Sequence, residues 1–393
     1  FWLKPSIGPK YSECGWLILT RRSPLLSGTT RIGIQSPIMG CCSSGAVANA
    51  RKAADAPPLG ERPEETSCWV QYGGESLEPL FEHTSLVDAQ FLVALADKGC
   101  IVPRWQELPE EAKIVPAKIW QLRDGAFHYF LPILVLSYPW FGRSHPDRLG
   151  ETLQRIAPIL RRLLRDVKQR SQDATIGVLW DFLSLPQLPR SDDFEKQRFK
   201  AGLGAINQWY AHPYTHVLLV NNPVPLGDGK YENTRPYENR GWCKFERTIS
   251  SLTKYSTCLE ILDTEEGSTA EPHRGPPISP DVFSDQMRNG VREKTIVFTA
   301  GADEDFVIEQ YRKGFINAYE NHTHIQHNGG WIHLSGLGWG DEEAFAIAKA
   351  IEYAVEHCSP PEEIRINLKS NNFSEAGVKA LQKAQGGRFS FVL

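Results

Sequence analysis

The sequence predicts an α/β protein built around a doubly wound parallel sheet. Residues 133–137, 176–180 and 217–220 are short, nearly unbroken apolar runs, which is the pattern of strands buried on both faces. Between the first two runs, apolar residues recur at the i, i+3, i+4, i+7 spacing of an amphipathic helix. They are Ile156, Ile159, Leu160, Leu163, Leu164 and Val167. This alternation of strands and helices favours a parallel sheet with right-handed crossovers.

The later elements continue the alternation. A helical stripe separates the second strand from the third, and it consists of Phe199, Leu203, Ile206 and Tyr210. A loop rich in Gly, Pro and Asn follows the third strand, and a helix is predicted over residues 242–252. Residues 258–262 are the expected fourth strand. We therefore assign residues 126–264 to the α/β domain.

Other regions flank this domain. Before it, apolar residues recur at helical spacing until Gly99, so residues 68–125 are expected to form a small helical cover. These apolar residues are Leu86, Phe91, Leu92 and Leu95. After the domain, residues 265–290 are rich in Glu, Pro, Ser and Gly, which is the composition of a linker. Residues 291–393 are expected to form strand-helix units of a different kind.

The last of these units follows a leucine-rich-repeat-like pattern of strand, turn and helix. Its members are Ile366, Leu368, Asn371, Phe373, Gly377 and Leu381. An imperfect copy precedes it, formed by Ile332, Leu334, Leu337, Trp339, Glu343 and Ile347. Residues 389–391 are a candidate for one more strand. Because such units cannot bury their faces alone, we expect the short array to lean on the preceding domain or to end it as a cap.

Composition and charge exclude several classes of function. The chain has 393 residues and a formal net charge of −4, so no overall basic field points to nucleic acid. No apolar run reaches the length of a membrane span. The eight cysteines include no C-x-x-C pair, and no metal site or disulfide framework is predicted. Four histidines lie close together in sequence, and a solvated loop is expected for them because no cysteine or fixed element orients them. They are His322, His324, His327 and His333.

A lipidation signal is predicted near the amino terminus. The segment from Met39 to Ser44 matches the N-myristoylation pattern at Gly40, and Cys41 and Cys42 are placed for S-acylation. One myristoyl chain binds a bilayer marginally, whereas a second acyl chain makes the anchor stable. If translation starts at Met39, residues 1–38 are an untranslated leader or an artefact, and residues 39–67 are a lipidated terminus with a flexible linker. The alternative is that Met39 is internal and that the match is accidental.

Polar and aromatic residues follow the predicted strands at their carboxyl ends. They are Ser137, Tyr138 and Trp140 after the first strand, Asp181 after the second, and Trp242, Cys243 and Glu246 after the third. Because the carboxyl ends of parallel strands meet at one edge, these side chains are expected to lie together there. Aromatic rings beside carboxylates suit a flat, cationic ligand. The alternative is structural: the rings close the core, Asp181 caps a turn, and Glu246 is a solvated acid that suits the helix dipole.

Three of these motifs, in this order, resemble those of a divergent TIR domain: Ser137-Tyr138, Trp180-Asp181 and Trp242-Cys243-x-x-Glu246. They are also similar to heterokaryon-incompatibility and other TIR-like modules. The resemblance covers residues 127–262, and Trp-Cys-x-x-Glu is its most specific element. The chain departs from the family at residues 183–193, where a Pro-rich segment replaces the loop that normally helps assembly and gates the site.

The resemblance implies a flavodoxin-like fold that works by self-association. In some members a glutamate at the position of Glu246 cleaves NAD at the nicotinamide–ribose bond, so Glu246 is the candidate catalytic residue. NAD is then a substrate, and no cofactor is required. In this hypothesis Tyr138, Trp140 and Trp242 frame the nicotinamide, Asp181 contacts the ribose, and Ser137 and Cys243 complete the ligand site.

Two functions are consistent with these features. The first is a membrane-tethered, cytoplasmic signalling protein in which self-association switches on NAD cleavage at Glu246. The second is a non-enzymatic adaptor that binds proteins through the same sheet edge and through the repeat surface, since many TIR domains are adaptors. An unidentified protein partner is expected on residues 291–393 in either case.

Overall fold

The computed structural model describes residues 68–114, 131–169, 172, 174–221, 230–255, 258–262, 269–270, 274–298, 303–322 and 329–393. All of them fall in one structural unit, Ala56–Leu393. The strands are β1 (Leu86–Asp88), β2 (Lys113–Ile114), β3 (Ile133–Ser137), β4 (Gly177–Leu179), β5 (His216–Leu219), β6 (Leu259–Leu262), β7 (Thr269–Ala270), β8 (Trp331–His333), β9 (Ile364–Asn367) and β10 (Phe389–Val392). The predicted lipidation residues Gly40, Cys41 and Cys42 lie outside the described residues.

The helices connect and cover these strands. The α-helices are Cys68–Gln71, Ala89–Asp97, Glu151–Lys168, Asp181–Ser184, Asp193–Ala211, Gly241–Ser250, Pro280–Arg292, Asp303–Glu320, Asp341–His357 and Glu375–Ala384. Short 3₁₀ helices are Gly74–Glu82, Trp105–Glu107, Glu110–Ala112 and Tyr237–Asn239. Within the described residues, no helix combines the length and the apolar composition that crossing a membrane requires.

The main sheet of the described chain has seven strands in the order β2-β1-β4-β3-β5-β6-β7. The neighbours β4, β3, β5 and β6 pair in parallel, as predicted for the α/β domain. β3 lies between two parallel partners and all five of its residues are buried, which explains its unbroken apolar sequence. Antiparallel strands extend the sheet at both edges. The chain is therefore an α/β protein with a mixed sheet whose four central strands are parallel.

The predicted helical cover over residues 68–125 is wrong in part. Leu86 belongs to strand β1, which pairs with β2 and β4 and so joins the main sheet. The helix begins at Ala89, where the Asp88 carboxylate accepts a hydrogen bond from the Gln90 amide at 2.8 Å. A strand of three residues is too short to show the alternating pattern of a strand in the sequence. Because Leu86 also fits the helical spacing that follows, it was predicted as part of that helix.

The predicted linker over residues 265–290 is also wrong in part. The helix Pro280–Arg292 begins inside it, with the Ser279 hydroxyl accepting from the Val282 amide at 3.3 Å and proline in the first turn. Phe283 and Met287, one turn apart, are fully buried. Most of the Glu, Pro, Ser and Gly residues that suggested a linker precede this helix, in residues 265–279.

A second sheet of three parallel strands, in the order β10-β9-β8, forms the carboxyl-terminal region. Asn371 connects its turns, because its amide donates to the Leu334 and Leu368 carbonyls at 2.9 Å each and its oxygen accepts from the Leu337 amide at 3.0 Å. The predicted last strand is present as β10. The Trp339 indole donates to the Arg274 carbonyl at 2.9 Å, so the array leans on the preceding part of the chain as expected.

Candidate functional site

The Ser137 hydroxyl and the Glu246 carboxyl meet at the carboxyl edge of the parallel strands. Ser137 is the last residue of β3 and is fully buried, and Glu246 lies in the middle of the helix Gly241–Ser250 that follows β5. Ser137 Oγ donates to Glu246 Oε2 at 2.5 Å. A strand tip and a separate helix are therefore joined by one short, direct hydrogen bond.

Two buried tyrosines complete the surroundings of this bond. The Tyr237 hydroxyl lies 2.5 Å from Ser137 Oγ and 3.2 Å from the carbonyl oxygen of Cys243, to which it donates. The Tyr210 hydroxyl donates to the Leu136 carbonyl at 2.8 Å and also contacts the Glu246 carboxyl. In the described part of the chain, the hydroxyls of Ser137 and Tyr210 thus contact this carboxyl group.

Asp181 is held at the same edge by three donors. Tyr138 donates its hydroxyl to Asp181 Oδ1 at 2.5 Å, and the Trp140 indole donates to Oδ2 at 3.0 Å. The Phe182 amide also donates to Oδ1, at 2.7 Å. Burial raises the pKa of Asp181, and these donors oppose the rise. Through these hydrogen bonds Asp181 orients the two aromatic residues, and the ribose contact expected from sequence stays a prediction.

The pKa of Glu246 is raised from 4.5 to about 8. Burial of the carboxyl group is the largest cause, and the negative charge of Asp181 acts in the same direction. The hydrogen bonds from Ser137 and Tyr210 favour the ionised form and partly oppose the rise. The side chain is partly exposed as a whole, whereas its carboxyl end is enclosed. At neutral pH this carboxyl group therefore holds its proton, which is a property of functional carboxyls.

This raised pKa predicts a loss of stability with rising pH. The pKa of Glu246 is about 8 in the folded chain and returns to about 4.5 on unfolding, so between these values the unfolded chain binds fewer protons. The stabilisation is complete below about pH 4.5 and is lost as pH rises through about 8. Urea unfolding across this window should show that the free energy of unfolding of the wild type falls relative to that of Glu246→Gln, which cannot titrate. Parallel curves for the two proteins would contradict the assignment.

The Trp242 and Cys243 side chains form hydrogen bonds with groups other than the carboxyls of Glu246 and Asp181. The Trp242 indole donates to Asp303 Oδ2 at 3.0 Å, and its ring packs beside Phe245 and Phe306. Trp242 therefore faces the helix Asp303–Glu320, so its expected place beside a nicotinamide ring is corrected. The Cys243 thiol is buried 3.6 Å from the Tyr138 carbonyl oxygen, and burial raises its pKa well above the usual value. Cys243 is a neutral packing residue between helix and sheet.

Sequence reasoning missed Tyr237 and Arg240. Both are buried, and both lie in the loop and 3₁₀ helix before the helix that carries Glu246. The Arg240 guanidinium donates to the carbonyls of Trp140, Asn233 and Arg235. It therefore connects this loop to the residues that follow strand β3. Loop residues carry no periodic signal, and only their nearness to the Trp-Cys-x-x-Glu motif marked them.

The Pro-rich segment after β4 is fastened to the amino-terminal part of the described chain. The Gln106 side chain forms two hydrogen bonds with the Gln187 backbone: Gln187 N donates to Gln106 Oε1 at 3.0 Å, and Gln106 Nε2 donates to the Gln187 carbonyl at 2.6 Å. Gln187 Nε2 also donates to the Asp181 carbonyl at 3.2 Å. This departure from the TIR pattern therefore links the region of Asp181 to residues outside the resemblance.

The histidine-rich stretch differs from the expected solvated loop. His322 is almost fully buried, and its Nε2 lies 2.9 Å from the Trp331 carbonyl oxygen. Burial lowers its pKa to about 4, so it is neutral at physiological pH. His324 and His327 lie outside the described residues. Among the residues that the structure describes, no group of three His, Cys, Asp or Glu side chains is arranged to hold a metal ion.

Comparison with known proteins adds no family to these observations, because no family model, curated protein or solved structure matches the chain.

Proposed function

We propose that the edge bearing Glu246 is the active site of a TIR-like domain that cleaves NAD at the nicotinamide–ribose bond. The observation that carries this proposal is the 2.5 Å hydrogen bond between Ser137 and Glu246. It joins two of the three motifs on which the TIR resemblance rests. Asp181, in the remaining motif Trp180-Asp181, is close enough to raise the pKa of Glu246. The three motifs thus act on one carboxyl group.

The strand order supports the flavodoxin-like assignment. The four parallel strands run β4-β3-β5-β6, which is second, first, third, fourth along the domain. This is the beginning of the flavodoxin-like order, in which ligands bind at the switch point between the first and third strands. Ser137 ends the first of these strands, and Glu246 lies on the helix after the third. A ligand site at this carboxyl group would agree with that topology.

The chemistry needs one carboxylate and little acid assistance. When the bond between the ribose C1′ and the nicotinamide nitrogen breaks, its electron pair neutralises the pyridinium ring. The ribose becomes an oxocarbenium-like cation, which ionised Glu246 stabilises. Water then attacks C1′ and releases a proton, giving nicotinamide and ADP-ribose. A bound pyridinium cation lowers the pKa of the carboxyl group beside it, so substrate itself favours the ionised form.

Trp140 is proposed to receive a flat group of the substrate, whereas Tyr138 is buried and donates its hydroxyl to Asp181. Trp140 is partly exposed, and Asp181 fixes its indole through the 3.0 Å hydrogen bond. Its ring packs edge-on against Phe182 at 5.7 Å, which leaves it held from two directions. An aromatic ring fixed beside an ionisable carboxyl group suits a cationic pyridinium ring.

Self-association is proposed to use the surface after β4. Leu188 and Phe194 are large apolar side chains that are 55% and 61% exposed, and both lie in or next to the Pro-rich segment. Association through this surface would remove both side chains from water. Acylation at Gly40, Cys41 and Cys42 would raise the local concentration of the chain on a membrane and favour the same contact.

Nicotinamide release from NAD tests the proposal. The full chain is incubated with NAD in dilute solution and again attached at high density to anionic vesicles, and nicotinamide is separated chromatographically. Release that increases on the vesicles supports NAD cleavage by an assembled state. The absence of release at every density would overturn the proposal and favour the adaptor function, in which the same sheet edge and the repeat surface of residues 291–393 bind proteins.

A further inference from the structure

Tyr237 has no part in the proposed cleavage, yet its hydroxyl stands at one end of a continuous line of polar atoms. Tyr237, Ser137 and Glu246 form this hydroxyl chain, with two successive contacts of 2.5 Å. At the far end, Tyr237 donates to the Cys243 carbonyl oxygen at 3.2 Å. Tyr237 and Ser137 are 1% and 0% exposed, so neither hydroxyl exchanges these partners for bulk water.

The chain has a different proton arrangement for each state of Glu246. When the carboxyl group is protonated, it donates to Ser137, Ser137 donates to Tyr237, and Tyr237 donates to the Cys243 carbonyl. When the carboxyl group is ionised, it can only accept, so Ser137 donates to it across the same 2.5 Å contact. Tyr237 then has a single proton for two acceptors, Ser137 Oγ and the Cys243 carbonyl.

The two arrangements depend unequally on Tyr237. With Glu246 protonated, the Tyr237 hydroxyl takes part in two hydrogen bonds, one accepted from Ser137 and one donated to Cys243. With Glu246 ionised, it takes part in one at a time. If the Tyr237 hydroxyl is removed, the Ser137 proton loses its acceptor when Glu246 is protonated, whereas Ser137 Oγ only accepts one hydrogen bond fewer when Glu246 is ionised. The first loss costs more free energy, because it leaves a buried donor unsatisfied. Tyr237 therefore favours the protonated carboxyl group, and Ser137, through its charge-assisted bond, favours the ionised one.

We propose that Tyr237 is a positioning residue which, through Ser137, stores the proton of Glu246 until substrate binds, by a hydroxyl chain whose direction reverses with the charge of the carboxyl group. The catalytic meaning of this inference rests on the proposed NAD cleavage. No O–H bond of Ser137 or Tyr237 breaks: on ionisation Glu246 releases its proton to water, and the two hydroxyls rotate to new acceptors. The residue that reacts remains Glu246.

Other ionisable groups face the same carboxyl group and act on it separately. Asp181, after β4, raises the pKa of Glu246, and Tyr210, on the helix Asp193–Ala211, lowers it. On its own helix, Cys243 is buried as a neutral thiol. Burial raises the pKa of the Tyr237 phenol well above its usual value, and the Arg247 cation opposes this rise. Tyr210 and Cys243 act electrostatically on both Tyr237 and Glu246, but the hydrogen bonds that join Tyr237 to Glu246 run through Ser137.

Opposite shifts in two variants test the proposal. The midpoint for ionisation of Glu246 is followed by carboxyl ¹³C signals of the labelled full chain without NAD, and Glu246→Gln identifies the signal. We expect Tyr237→Phe to lower this midpoint by about 0.5–1 pH unit and Ser137→Ala to raise it by a similar amount. A midpoint that Tyr237→Phe leaves unchanged, or raises as Ser137→Ala does, would overturn the proposal.

Tyr311→Phe is the matched control, because Tyr311 is also fully buried and donates its hydroxyl to a backbone carbonyl, that of Ile278, at 2.9 Å. It should reduce thermal stability as Tyr237→Phe does but leave the Glu246 midpoint unchanged. Because the midpoint is measured without NAD, opposite shifts without nicotinamide release would retain the hydroxyl chain and reject the cleavage. Nicotinamide release with unshifted Glu246 midpoints would retain the NAD cleavage and reject the hydroxyl chain.

Discussion

Glu246→Gln should lower the rate of nicotinamide release by at least about 100-fold, which is the scale of losing one electrostatic group aimed at the charge of a transition state. Glutamine keeps nearly the same volume and still accepts a hydrogen bond from Ser137, but it cannot become an anion. The oxocarbenium-like ribose then loses its only proposed counter-charge. The measurement is the initial rate on vesicles at matched protein density.

Two further observations belong to this experiment. Glu309→Gln is the control, because Glu309 lies on an exposed helical surface beside Arg312 and Lys313, away from the carboxyl edge. It should retain the wild-type rate. Since the reaction needs ionised Glu246, the rate of the wild type under subsaturating NAD should rise with pH toward about 8. Full activity in Glu246→Gln would remove this carboxyl group from the mechanism.

Phe245→Ala should lower the free energy of unfolding by about 3–5 kcal/mol, the usual cost of removing a buried phenyl ring. Phe245 is completely buried in the same Trp-Cys-x-x-Glu motif, and its ring meets Trp242 at 5.9 Å and Phe283 at 6.4 Å. The cavity would open between the helix of the motif and the helix Pro280–Arg292. Neither neighbour can close it without leaving its own contacts.

Phe345→Ala removes the same ring from an exposed position and is the natural control. Phe345 is 44% exposed on the helix Asp341–His357, so its loss should change stability by no more than about 0.5 kcal/mol. Denaturant unfolding of both variants gives the comparison. Equal destabilisation by the two changes would mean that the ring of Phe245 is not a supporting contact of the motif.

These two predictions separate two roles within one motif. Phe245 and Trp242 secure the helix against the elements that follow it, and the proposed chemistry lies with Glu246 alone. Cys243 also belongs to the supporting group, since its thiol is buried and neutral. The motif is therefore specific in sequence because packing and proposed chemistry constrain adjacent positions together.

The alternation of apolar runs and amphipathic stripes was enough to predict the central architecture. The β3 prediction matches Ile133–Ser137 in full, and the strands near residues 177, 216 and 259 differ from prediction only at their ends. The reason is that strands buried on both faces leave an unbroken apolar run in sequence, and that parallel pairing then requires helices between them. The same logic brought Ser137, Asp181 and Glu246 to one edge before any coordinates were known.

Tertiary structure alone determined the elements and contacts that have no periodic pattern in the sequence. The short strand at Leu86 takes its identity from its partners in the sheet, and Tyr237 joins the site through a contact across one hundred positions. Trp242 stands four residues before Glu246, yet its indole turns to Asp303 on a later helix. Helical spacing determines which side chains can be neighbours, but the partner that packs on each face determines which of them meet. The raised pKa of Glu246 also depends on the tertiary structure, because the burial and the nearby charge that cause it exist only in the folded chain.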